Sequence, residues 1–138
     1  MKVRDVMTGK PICIHRDETV AVAARTLTHY NIGAVPVCTA DGRLCGMVTD
    51  RDMVTRCLAA GKDPEKTKVS QVMTGGVITA GPDMSLTEAA ALMGGRQVRR
   101  LPVVWEGRLC GILSLKDLAE QGQAGAVLQQ ISANISVR

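Results

Sequence analysis

Aromatic side chains are almost absent from this chain, which has one tryptophan (Trp105), one tyrosine (Tyr30) and no phenylalanine. Proteins that bind RNA or single-stranded DNA usually stack the bases on several aromatic rings. This sequence cannot supply such a surface, so aliphatic residues and methionine must fill its interior. Hydrophobic residues still make up 46% of the 138 residues, which is enough for a folded core and argues against disorder.

A long run of one charge is also missing. The net charge of +4 is small, and the densest basic cluster consists of only Arg96, Arg99 and Arg100. An arm that binds nucleic acid has a longer basic run, so we expect no nucleic-acid partner. Three neighbouring arginines suit a small anionic ligand, and a set of solvated surface arginines remains the alternative.

No stretch approaches the roughly 20 apolar residues of a membrane span, and residues 1–10 lack the apolar core of a signal peptide. The five cysteines form no CxxC motif, and His15 and His29 have no partner at zinc-finger spacing. We therefore expect reduced thiols, no metal, no membrane and a cytoplasmic location. No Ser–His–Asp or Cys–His set and no pair of carboxylates suggests catalysis, so we expect no enzyme.

One unit is written twice in the sequence. VRDVMTG at residues 3–9 recurs as VSQVMTG at residues 69–75, and GRLCG at residues 42–46 recurs unchanged at residues 107–111. Such a repeat determines the whole architecture, so it is interpreted before single motifs. We predict a first repeat at 1–60, a linker at 61–68, a second repeat at 69–120, and a tail at 121–138 that forms a short helix.

Each repeat has the same predicted order of elements, β-α-β-β-α. An extended segment (11–14 and 77–79) precedes a helix (20–29 and 86–95) with apolar residues at helical spacing. Two strands then form a hairpin (34–38 with 44–48, and 101–105 with 109–113), and a final helix starts near Thr49 or Ser114. Because one copy is small for an independent domain, we predict an α+β fold in which two repeats pack sheet against sheet as one pseudo-twofold module.

A strand-to-helix junction with a hydroxyl and an aspartate closes each repeat. The two copies are GMVTDRD at residues 46–52 and GILSLKD at residues 111–117. Free N–H groups at the start of a helix favour a phosphate or a ribose. The hydroxyl of Thr49 or Ser114 can donate or accept, and the carboxylate of Asp52 or Asp117 can accept two hydrogen bonds from a ribose cis-diol. The alternative is purely structural, with hydroxyls that cap the helices and aspartates that interact with their dipoles.

These motifs resemble the CBS (cystathionine-β-synthase) domain, and the two copies resemble a tandem CBS pair, or Bateman module. The resemblance covers about residues 3–118 and also rests on the apolar-proline-apolar strands at 35–37 and 101–103. It implies a regulatory module that binds an adenine nucleotide (AMP, ADP or ATP), acts on a partner protein or on its own assembly, and forms a C2 homodimer. A dimerisation module without ligand and a binder of S-adenosylmethionine type remain the alternatives.

The resemblance also implies two ligand sites, each built from one closing motif and the first strand of the opposite repeat. The aspartate would bind the ribose, the Ser or Thr would contact sugar or phosphate, and the base would lie against the opposite strand. The first site comprises Lys10, Pro11, Ile12, Arg99, Arg100, Ile112, Ser114, Lys116 and Asp117. The second site comprises Gly76, Val77, Ile78, Gly33, Ala34, Met47, Thr49, Arg51 and Asp52.

The two implied sites differ in charge just before the second strand. The first has Arg99 and Arg100 there, whereas the second has Gly33 and Ala34. Side chains alternate along a strand, so only one of the two arginines is expected to face the ligand. We therefore expect a phosphorylated ligand to fill the first site before the second, and we expect no cofactor besides this regulatory ligand.

Overall fold

The computed structural model describes residues 1–123 and 125, which form two compact units. Unit 1 consists of Met1–Pro11 together with the described residues from Ile78 onward, and unit 2 consists of Ile12–Val77. Most of the predicted tail at 121–138 lies outside the described residues. Among the residues described, no helix has both the length and the apolar composition needed to cross a bilayer.

Unit 2 is a three-stranded sheet with helices that cover its core. Its strands are β2 (Ile14–His15), β3 (Ala34–Cys38) and β4 (Leu44–Thr49), in the order β2-β3-β4. Helix α2 (Val20–Tyr30) begins at the N-cap Thr19, whose side chain accepts the Val22 amide. Helix α3 (Asp50–Met53) continues as a π-helical turn (Val54–Leu58), and a 3₁₀ turn spans Val69–Gln71. The buried core of this unit includes Val20, Leu27, Val35, Val37, Val48, Val69 and Val72.

Unit 1 also has a hairpin between two helices, but its third strand lies beside the second strand of the hairpin, whereas the third strand of unit 2 lies beside the first. It contains α1 (Val3–Val6), β1 (Thr8–Gly9), α4 (Leu86–Arg96), β5 (Arg100–Trp105), β6 (Arg108–Ser114) and α5 (Leu115–Glu120), with its strands in the order β1-β6-β5. Glu106 and Gly107 both have positive φ, as the tight turn between β5 and β6 requires. The buried core includes Val3, Leu86, Met93, Leu101, Val103, Leu113 and Leu118.

The opening segment of each repeat belongs to the unit that holds the other repeat's hairpin. Strand β1 from the first repeat pairs with β6 from the second, with Thr8 opposite Ile112. In unit 2, Thr74 from the second repeat forms an antiparallel bridge to Met47 of β4. Val3 and Val69, at equivalent positions of the two opening segments, are both fully buried in these units. Each hairpin is therefore completed by a segment that lies far away in sequence.

The helices and strands match the sequence-based boundaries within about two residues, with two differences in the extended segments. In the first copy, only Ile14–His15 forms a strand, because Lys10 turns the backbone with φ 47 and Pro11 has no N–H to donate. In the second copy no strand covers 77–79, and the ladder contact is a single parallel bridge from Ala80 to Val103. The α+β class is confirmed, with one three-stranded sheet in each unit.

The last glycine of each GRLCG motif marks the place where an opening segment crosses the hairpin. A Cβ atom on Gly46 would overlap the carbonyl oxygen of Thr74, and one on Gly111 would lie 3.0 Å from the carbonyl oxygen of Thr8. Glycine is therefore required at Gly46, where backbone approaches backbone, whereas a Cβ on Gly111 would first meet the flexible side chain of Met7.

We predict that Gly46→Ala lowers the free energy of unfolding by about 1–3 kcal/mol, because the Thr74 backbone must move and its bridge to Met47 must lengthen. Gly9→Ala is the control, since nothing lies within 4 Å of the added methyl group. Urea denaturation followed by circular dichroism measures both variants. Equal losses for the two variants would contradict the close approach.

Candidate functional site

The site in unit 1 is built where β6 ends and α5 begins. Arg100 of β5 lies directly opposite Ser114 of β6, and the Leu115 amide donates to the carbonyl oxygen of Arg99 at 2.8 Å. Directly opposite residues of an antiparallel pair have their side chains on the same face of the sheet. The preceding pair, Leu101 and Leu113, is fully buried on the core face. Arg100 therefore shares the outer face of the sheet with Ser114.

Ser114 and Asp117 form a capping box that leaves one carboxylate oxygen available. The Ser114 amide donates to Asp117 Oδ2 at 2.8 Å, and the Asp117 amide donates to Ser114 Oγ at 3.1 Å. Within the described part of the chain, Asp117 Oδ1 has no protein hydrogen-bond partner. Asp117 can therefore cap the helix and still bind a ligand, because the capping box uses Oδ2 and leaves Oδ1 without a partner among the described residues.

Thr49 and Asp52 form the equivalent capping box in unit 2, but here both carboxylate oxygens have partners. The Thr49 amide donates to Asp52 Oδ2 at 3.0 Å, and Asp52 Oδ1 lies 3.8 Å from Arg56 Nε. Arg56 also donates to the carbonyl oxygen of Met73 at 3.1 Å, so it links the helix to the opening segment. The equivalent of Arg56 in unit 1 is Gln121, which carries no charge. Asp52 therefore has a structural role that Asp117 lacks.

A second carboxylate occupies the strand end in unit 2. Asp50 Oδ1 accepts the Arg51 amide at 2.8 Å, and Oδ2 lies 3.5 Å from the position that a Cβ on Gly33 would take. In unit 1 the equivalent of Asp50 is Leu115, which has no side-chain oxygen to accept the Lys116 amide. Unit 2 thus has negative charge near the place where unit 1 has Arg99 and Arg100.

The opening segments bring most of the predicted residues of each site into one unit. Lys10 and Pro11 lie in unit 1 with Asp117, and Gly76 and Val77 lie in unit 2 with Asp52. Ile12 and Ile78 each fall just across the boundary, in the other unit. Lys10 and Gly76 are equivalent in the repeat and both have positive φ, 47° and 60°. A lysine in this conformation is uncommon.

Two residues of these sites were not predicted from the sequence. Thr8 lies opposite Ile112 and is exposed on the sheet face that carries Ser114. Its signal was present, because Thr8 and Thr74 are the repeated threonines of the two DVMT-type openings. Asp50 was the other omission. Its contrast with Leu115 is visible in the sequence, but its position beside Gly33 depends on the pairing of Ala34 with Thr49.

Among residues 1–123 and 125, no group of three or more His, Cys, Asp or Glu side chains is arranged to hold a metal ion. All five cysteines are free thiols, and Cys45 and Cys110 occupy equivalent, partly buried positions. Burial raises the pKa of the Cys110 thiol, which also donates to the carbonyl oxygen of Val103 at 3.4 Å.

Comparison with known proteins identifies similar chains over nearly the whole length. The CBS domain model matches twice, at residues 3–59 and 69–123. The CBS domain-containing protein YhcV of Bacillus subtilis is 40% identical over 134 residues, which cover 94% of each chain. Hypoxic response protein 1 of Mycobacterium tuberculosis is 37% identical over 130 residues, which cover 94% of this chain and 91% of that protein.

Solved structures agree with this result. The crystal structure of Hypoxic Response Protein I with two coordinated zinc ions has a TM-score of 0.80 at 38% identity, over 87% of this chain and 98% of that one. The structure of CBSX2 in complex with AMP has a TM-score of 0.76 at 25% identity, and the match covers 88% of this chain and 95% of that one. The structure of the CBS domain pair of protein MJ0100, in complex with 5-methylthioadenosine and S-adenosylmethionine, has a TM-score of 0.75 at 29% identity. This match also covers 88% of this chain and 95% of that one. The chain therefore belongs to the CBS-domain family, as a tandem pair of CBS domains.

Proposed function

We propose that this chain is a regulatory module without catalytic activity that binds an adenine nucleotide in unit 1, beside Asp117. The observation that carries the proposal is the carboxylate oxygen Asp117 Oδ1, which is held in place by the capping box and left without a protein partner in the described residues. A carboxylate in this position can accept hydrogen bonds from the two hydroxyl groups of a ribose. The Ser114 hydroxyl lies at the same junction and gives a second contact to the sugar.

Positive charge on the same side of unit 1 favours a phosphorylated ligand. Arg100 lies across from Ser114 on the outer face of the sheet, and Lys116 follows Leu115 at the start of α5. Both side chains are exposed, so the free protein does not lose free energy by desolvating these two cations. Lys10 adds a third cation from the opening segment. We propose AMP or ATP as the ligand, with phosphate contacts from Arg100 and Lys116.

The ligands of two related structures support the nucleoside part of this proposal. CBSX2 is in complex with AMP, and the CBS pair of MJ0100 is in complex with 5-methylthioadenosine and S-adenosylmethionine. These three molecules share adenosine and differ in what is attached to the 5′ carbon. The cations of unit 1 favour the phosphate over the uncharged or positively charged sulfur groups, which makes S-adenosylmethionine the second candidate.

The site in unit 2 is proposed to be weak or empty for the same ligand. Arg56 already pairs with Asp52, and Asp50 places a carboxylate near Gly33. A nucleotide there would have to displace one ion pair and bring its phosphate towards a like charge.

The proposed output is a change in assembly or in a partner protein. Tyr30 at the end of α2 and Val54 and Leu58 in the π-helical turn expose apolar surface on unit 2. We propose that this surface contributes to a C2 homodimer, and that an unidentified protein target responds to the bound nucleotide in the cytoplasm. A dimerisation module without ligand is the alternative, and it would show no effect of nucleotides on its melting temperature.

Calorimetry with AMP and ATP tests the difference between the sites. Asp117→Ala should weaken the tighter isotherm by about a hundredfold or more, because the diol loses hydrogen bonds to a charged acceptor. The matched variant Asp52→Ala should change that isotherm by less than about threefold. Melting curves without ligand show that both variants are folded. Equal losses in the two variants would refute the proposed asymmetry, and a preference for S-adenosylmethionine over AMP would replace the ligand.

The arginines give a second, independent prediction. Arg100→Ala should weaken ATP binding by about tenfold to a hundredfold, because it removes a charge-assisted hydrogen bond to phosphate. Arg99→Ala is the matched control and should leave the affinity nearly unchanged, since Arg99 precedes the strand. The affinity for adenosine should fall in neither variant. A larger loss from Arg99→Ala would show that the pairing of Arg100 with Ser114 does not set the phosphate contact.

A further inference from the structure

Two thiols of unit 2 lie side by side at the start of its sheet. Strand β2 pairs with β3 in parallel, with His15 opposite Cys38, and the Arg16 amide donates to the carbonyl oxygen of Cys38 at 3.0 Å. Cys13 precedes His15 by two residues, and side chains two apart in extended backbone point to the same face. The Cys13 side chain therefore lies on the sheet face that carries Cys38, and the Cys13 and Cys45 thiols are both near enough to affect the ionisation of Cys38.

The two thiols differ in their accessibility to a reagent in solution. Cys13 is exposed, whereas only 2% of the Cys38 surface is accessible. Burial, followed by the neighbouring Cys13 and Cys45 thiols, raises the pKa of Cys38 to about 12. A soluble oxidant therefore reacts at Cys13, and Cys38 is reached only from Cys13.

The fold itself does not require this pair. In the second repeat, Thr79 and Val104 occupy the positions equivalent to Cys13 and Cys38, whereas the equivalent of Cys45 is again a cysteine, Cys110. Both hairpins nevertheless have the same irregularity in register, after Val37 and after Val103. A second copy with the same architecture thus forms without the two neighbouring thiols.

We propose that Cys13 and Cys38 form a reversible disulfide when the protein meets a low-molecular-weight disulfide. The Cys13 thiolate attacks the oxidant, forms a mixed disulfide and releases one thiolate. The Cys38 thiol then gives its proton to solvent and attacks the Cys13 sulfur, which releases the second thiolate and closes the internal bond. The protein loses two electrons and two protons, and the oxidant is reduced to two thiols. The new bond fixes the segment before β2 onto β3 and closes the loop that contains α2.

The test uses the full chain and a glutathione redox buffer with about a tenfold excess of the oxidised form. Intact mass should show the loss of two hydrogen atoms, and non-reducing peptide mapping should join the Cys13 and Cys38 peptides. The melting temperature should rise by roughly 5–15 °C, because the bond restricts the unfolded chain, and it should return after reduction with dithiothreitol.

Two serine variants complete the experiment. Cys13→Ser changes an exposed side chain and should abolish both the internal bond and the rise in melting temperature. Cys45→Ser removes the third thiol of the cluster and should leave both intact. A stable glutathione adduct on Cys13, a bond to Cys45, or an unchanged melting temperature would each overturn the proposal. No nucleotide is present, so this outcome is separate from that of the nucleotide-binding experiments.

Discussion

Each sheet depends on a backbone contact between one repeat's hairpin and the other repeat's opening segment. Thr8 and Gly9 form the third strand beside β6, and Thr74 exchanges two hydrogen bonds with Met47, at 2.8 and 3.0 Å. Neither hairpin has a third strand of its own at that edge. The valines of these openings, Val3 and Val69, then seal the two cores. One repeat alone would leave an open sheet edge and a cavity in its core, which explains why the unit occurs twice.

The same contact positions the residues of the proposed nucleotide site. Because β1 lies along β6, it brings Thr8 and Lys10 to the strand that ends at Ser114. Gly46 permits the equivalent approach in unit 2, because the Thr74 backbone leaves no room for a side chain there. Residues of the proposed site that are distant in sequence are thus held together by paired backbone, and the capping box orients Asp117.

Most of the fold could be predicted from the sequence, because each element has an equivalent in the other repeat with the same sequence pattern. The hairpins, the helices and the two strand-to-helix junctions follow from turn residues, N-caps and helical spacing. The partners of the individual carboxylate oxygens could not be predicted. That Asp52 pairs with Arg56 while Asp117 keeps one oxygen available depends on side-chain geometry in a turn that is π-helical. The choice between Arg99 and Arg100 likewise required the register that places Arg100 opposite Ser114.

If the duplicated sites have diverged as proposed, unit 1 binds the nucleotide and unit 2 binds it weakly or not at all. Amide chemical shifts of isotope-labelled protein, followed by NMR during titration with AMP, test it most directly because equivalent residues serve as internal controls. We expect saturating changes in amide chemical shift at Thr8, Lys10, Ser114 and Lys116. The equivalent residues Thr74, Gly76, Thr49 and Arg51 should change little. Changes of equal size in both sets, or changes confined to the second set, would contradict the proposed divergence.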